Sequence, residues 1–171
     1  MTLTPRLRSA LTLGTLCLLL VLAALVGWRS ATAPLPQIIT TELCVDTDLV
    51  SGEILFPDQV AVSVFNASSR NGLASKTLNQ LERRGFVPAD TGNAPDGTQV
   101  RGVEIWGDAA NPAVSLVKQH FRSAAVRTGP QLGLGVVVVV GDGYQSLRPA
   151  KAAPPSVDVQ AAATVCSPPG S

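Results

Sequence analysis

The sequence predicts an α/β fold: a two-layer sandwich in βαβ-βαβ order, with helices on one face, after a single N-terminal transmembrane helix. Three observations carry this expectation. One long apolar run near the N-terminus contains no charge. Further on, β-branched runs alternate with two helical patterns. The segments flanking that region are rich in proline and alanine and carry a cysteine on each side.

The chain has 171 residues, enough for one folded domain with appendages. Hydrophobic residues make up 46% and charged residues 15%. Much of that imbalance lies between Ser9 and Trp28, where no residue is charged. A helix needs about 20 mostly apolar residues to cross a bilayer core, and lipid requires its backbone amides to bond internally. Arg6 and Arg8 precede the run, so the N-terminal stub, residues 1–8, is expected in the cytoplasm and the rest outside. The expected location is therefore the cell membrane, single-pass, with an extracytoplasmic C-terminal domain. A cleaved signal peptide is the rival reading, because Ala31-Thr32-Ala33 fits a small-x-small site. The run exceeds the roughly 7–15 residues of a usual signal core, which favours retention.

Residues 29–56 read as a linker and lead-in, and 57–147 as the domain. Val60 to Phe65 is β-branched and predicts a strand. Asn66 to Gly72 is a polar turn. Leu73 to Arg84 predicts a helix with Leu73, Thr77, Leu78 and Leu81 on its inner face, and Gly85 suits its C′ position. Phe86 and Val87 begin a second strand, expected to be short or at an edge because Pro88 cannot donate to a ladder. Asn93 to Gly97 signals a turn, and Val100 to Trp106 a third strand. Asn111 and Pro112 form a helix-start pair, with Val114, Val117 and Phe121 on one face. Val126 marks a short extended piece. Five valines, Val136 to Val140, predict a central strand buried on both faces. This order is compatible with a ferredoxin-like split. The tail, 148–171, reads as a flexible end or as a strap fixed by Cys166.

Cys17 lies in the apolar run, leaving Cys44 and Cys166 as the two exported cysteines. Thiols tend to pair outside the cell, so a Cys44–Cys166 bridge is expected; two unrelated thiols, or pairing with another chain, are the alternatives.

No catalytic residues, metal site or cofactor emerge from the motifs. His120 is the one histidine and reads as a partly exposed helix residue. Gly133-Leu134-Gly135 and Gly141-Asp142-Gly143 read as turns, since neither opens a helix after a strand. From Arg29 onward 12 acidic residues face 11 basic ones, without a basic stripe, so nucleic acid is a poor partner. The candidate binding loop is Asn66, Ser68, Ser69, Arg70, Asn71 and Gly72, dense in hydrogen-bonding groups between a strand and a helix. It suits a polar ligand such as a glycan; a turn with capping residues is the simpler account.

Val62 to Ser68, Asn71-Gly72-Leu73-Ala74, Leu81 to Val87, Thr91 to Ala94, and Val136 to Tyr144 together resemble the LytR C-terminal domain family, over about residues 58–146. In that family the domain often follows a phosphotransferase domain that attaches polymers to the wall. These 171 residues leave no room for it, so the resemblance implies no such activity. It implies the short membrane-anchored type of actinobacteria: one membrane helix, this domain and a non-enzymatic role in cell envelope integrity. The expected partner is a cell-wall polymer or an envelope protein. A narrower peptidoglycan- or glycan-binding role, or regulation of membrane vesicle release, is the alternative. Blotting membrane and medium fractions tests the anchor: the full chain is expected in the membrane, and a shortened chain in the medium would establish cleavage.

Overall fold

The computed structural model describes residues 14–25, Trp28 and 44–169. Two units divide the chain, Met1–Ile39 and Thr40–Ser171. In the first, residues 14–25 and Trp28 are helical. Among the described residues no helix is long and apolar enough to cross a membrane. The rest of the expected span 9–28, the stub 1–8, and Ala31 to Ala33 lie outside the described residues.

The second unit is built on a five-stranded sheet. Its strands are β3 (Ala61–Asn66), β4 (Val87–Asn93), β5 (Val103–Trp106), β6 (Ala125–Arg127) and β7 (Val136–Val140). Their order is β4-β3-β7-β5-β6. β3 runs parallel to β4 and β7, β5 runs parallel to β6, and β5 is antiparallel to β7. Two helices join the parallel pairs: α1 (Leu73–Glu82) links β3 to β4, and α2 (Pro112–Gln119) links β5 to β6. The expected ferredoxin-like split is therefore corrected. A split unit leaves a gap between its two strands for a third. Here each βαβ unit closes on its immediate neighbour, and β7 enters between the two units.

β7 is central because all five valines are buried, Val137 to Val140 completely. Burying each such side chain stabilises the fold by about 1.5–3 kcal/mol. Val136, Val138 and Val140 join Val62, Val64 and Ile105 beneath both helices. On the opposite face Val137 and Val139 pack with Phe65, Val100, Trp106 and Leu132. Loops cover that face. Buried Ser63 fastens one of them: its Oγ donates to the Leu134 carbonyl at 2.6 Å and accepts from Asp90 N–H at 3.1 Å. Asp90 in turn accepts from Leu134 N–H at 2.9 Å. Gly135 has φ +68°, and a side chain there would run into the Ala61 carbonyl.

The local signals hold with shifted ends. α1 stops at Glu82, and Gly85 (φ +94°) closes it. Gly85 N–H bonds Glu82 and Phe86 N–H bonds Leu81, the Schellman pattern. Asn111 caps α2 by accepting from Ala113 N–H at 2.9 Å, with Pro112 at the first turn. β4 is longer than expected, seven residues, and lies at the sheet edge, where Pro88 forfeits no ladder bond. β5 is shorter than expected and begins at Val103. Phe121 is buried but lies beyond α2, bridging Leu147.

The lead-in and tail pair with each other. β1 (Val45–Leu49) joins β9 (Ala163–Ser167), and β2 (Ile54–Leu55) joins β8 (Val157–Asp158), both antiparallel. Tail residues Val159 and Val165 are buried. Cys44 and Cys166 form a disulfide with Cα atoms 5.2 Å apart, so the tail is the strap. The bond closes a separation of 122 residues. In the chain-entropy model this is worth about 4–5 kcal/mol. Cys166→Ser is expected to lower the thermal midpoint by roughly 10 °C. An unchanged midpoint under reduction would show that the strap holds without the bond.

Candidate functional site

β3 and β7 are parallel neighbours, so Asn66 and Val140 end side by side. The loop after β3 therefore emerges beside the turn after β7. Asn66 Oδ1 accepts from Ser68 N–H at 3.0 Å and Ser68 Oγ at 2.7 Å, and its Nδ2 donates to the Arg70 carbonyl at 2.9 Å. Ser69 donates through both N–H and Oγ to Asp142 Oδ1, each at 2.9 Å. Those two bonds hold the exposed Asp142 carboxyl below its ordinary range, and Arg70 adds to the effect. Arg70 N–H donates to Ser68 Oγ at 3.2 Å, and its guanidinium donates to the Tyr144 carbonyl. Gly72 takes the left-handed conformation, φ +72°, and starts α1. Most polar groups of the loop are thus bonded within the protein. Asn71 is exposed, and its side chain makes no hydrogen bond among the described residues.

A second site was not legible in the sequence. Arg84 and His120 follow the C-terminal ends of α1 and α2. With Phe56, Pro57, Ala153 and Pro154 they line a cavity of about 470 Å³ whose far wall is the strap. Arg84 donates to the Arg148 carbonyl and faces His120 Nδ1 at 3.4 Å. A guanidinium carries only donors, so Nδ1 is the acceptor and the ring proton sits on Nε2. Nε2 has no hydrogen-bond partner among the described residues. Phe86 packs edge-on against the ring at 4.8 Å.

His120 is only 4% exposed, which corrects its expected partial exposure. The strap and Phe86 enclose it, and neither is adjacent to it in sequence. Burial first, and then the charge of Arg84, push its pKa down to about 4; the Pro154 carbonyl partly opposes this. Burial also lowers Arg84 and raises the Tyr144 phenol. No group of three or more potential metal ligands occurs among the described residues.

The family model described as LytR cell envelope-related transcriptional attenuator matches residues 59–144. The chain belongs to the LytR C-terminal domain family. Its matched region spans the whole five-stranded sheet and both helices. No curated protein matches the chain. Among solved structures it is similar to the soluble domain of a conserved hypothetical secreted protein, an Rv2700 ortholog from Mycobacterium marinum. Identity is 23% and the TM-score 0.48, over 58% of this chain and 68% of that one. The disulfide and strap of this LytR C-terminal domain protein fall outside the matched region.

Buried His120 is expected to make this domain acid-sensitive. A histidine held near 4 but titrating at about 6.5 when unfolded binds its proton more readily in the unfolded chain. Its contribution is complete above pH 6.5 and is lost as pH falls towards 4, by up to about 3 kcal/mol. Urea unfolding between pH 7 and pH 4 is expected to show that loss, and His120→Gln to remove it. An equally steep loss in the variant would place the sensitivity elsewhere.

Proposed function

We propose that this protein is a non-enzymatic, membrane-anchored component that maintains cell envelope integrity, its exported domain binding a wall component or an envelope partner. The observation that carries the reading is membership of a cell envelope-related family across the entire sheet. The disulfide supports an oxidising, extracytoplasmic setting. The charge-free run from Ser9 to Trp28, preceded by Arg6 and Arg8, supports the anchor.

Two features of the site favour binding over catalysis. A general base works best with a pKa near the operating pH, and His120 sits far below neutrality. Its ring faces an arginine and has no carboxylate to orient it. Exposed Asn71, whose side chain makes no hydrogen bond among the described residues, leaves the 66–72 loop a polar contact point, which keeps a glycan among the ligands.

Deleting the gene is expected to raise sensitivity to wall-active drugs and detergents, with restoration by the full chain. Purified wall is expected to retain the protein at moderate salt. Unchanged sensitivity on deletion would refute the envelope role. Absence of wall retention would leave an envelope protein as the partner.

A further inference from the structure

The sequence contains no basic run, but the fold assembles one. The segment from Tyr144 to Pro149 passes between the C-terminal ends of the helices. Leu147 bridges Phe121, Arg148 N–H donates to the His120 carbonyl at 2.9 Å, and Arg84 donates to the Arg148 carbonyl. Clefts flank this segment. One is lined by Arg101 and Arg122 with Gly143 to Ser146. Another holds Lys118, Arg122 and Arg148, and a third Arg83, Arg84 and Arg148. Neighbouring clefts share Arg122, Arg148 or Ser146, so they form one furrow.

Its charges are positive but for one, and most of them are unused. Glu104 is the one acidic residue in those linings, and it is committed to Arg127 at 2.9 Å. Among the described residues that is the only ion pair. The side chains of Arg83, Arg101, Lys118, Arg122 and Arg148 make no hydrogen bond or ion pair there. Acidic residues gather elsewhere: Asp46 and Asp108 line the cavity beside the disulfide. A near-neutral domain is thus sorted into unlike faces, and clefts lined by one sign of charge focus the field on an incoming counter-ion.

We propose that this furrow binds a linear anionic polymer of the envelope, seating its phosphate or carboxylate groups on Arg83, Arg101, Lys118, Arg122 and Arg148. Guanidinium forks match both groups in bidentate geometry. The cations are distributed along the segment rather than converging on one point, which suits repeated charges on a chain. The surface is concave, and the exposed large apolar residues Val45, Val50, Ile54, Phe56 and Leu134 lie outside its lining, so a flat bilayer is a poor match. The proposal rests on the wall-binding branch of the proposed function.

The test titrates the full chain, in detergent micelles, with linear polyphosphate, polygalacturonate, neutral dextran and phosphatidylglycerol vesicles. Both soluble polyanions are expected to bind, dextran is not, and affinity falls as salt rises. The double variant Arg122→Gln, Arg148→Gln should weaken polyphosphate binding about tenfold and reduce the salt slope by about 1–2. Lys76→Gln, which removes an exposed cation outside the furrow, should change it less than about twofold. Circular dichroism checks folding; if the double variant does not fold, exposed Arg101→Gln replaces it, with about a threefold loss expected. Equal losses in Lys76→Gln, no binding of soluble polyanions, or binding to vesicles alone would overturn the proposal. Purified wall separates it from its parent reading. Undiminished retention of the double variant removes the furrow and leaves wall binding standing. Polyphosphate binding without wall retention keeps the furrow's chemistry and removes the wall as its source.

Discussion

Five consecutive valines that must all leave water set the terms for this domain. A strand with one polar face can lie at a surface, whereas β7 needs a neighbour on each edge and a cover on each face. β3 and β5 supply the edges. Both helices cover one face, and the loop held by Ser63 and Asp90 covers the other. The mixed sheet follows from this demand. Each βαβ unit is complete as a parallel pair, and the strand left over joins them, parallel to one and antiparallel to the other.

The second closure is covalent. The tail has few large apolar groups; the Cys44–Cys166 bond and the pairing of β9 with β1 and β8 with β2 lay it down as a strap that buries Val159 and Val165. The strap is also the wall of the His120 cavity. One device therefore stabilises the fold, buries a titratable ring and shapes the surface beside it. Arg84 sits at the junction, bonded to the segment that leads into the strap and facing the histidine.

The local code was readable. Gly85 marked the Schellman close, Asn111-Pro112 the start of α2, and Val136 to Val140 the central strand, because each depends on neighbours in sequence. The ferredoxin-like expectation failed at a different level. Strand order depends on which edges meet, and a list of apolar runs does not contain that. The candidate loop was readable as a loop, but not as one that spends its polar groups on itself and on Asp142, 73 positions away.

By itself, the sequence determined the element types, the family likeness and the apolar N-terminal run, and it raised the expectation that Cys44 and Cys166 pair. These follow from periodicity, turn chemistry and composition, which act over a few residues or over the whole chain. Only the tertiary structure decided that the tail is a strap, that His120 is enclosed, and that arginines from separate elements line one furrow. Burial and surface charge are properties of surfaces, and a surface is made from segments that are distant in sequence until the chain folds.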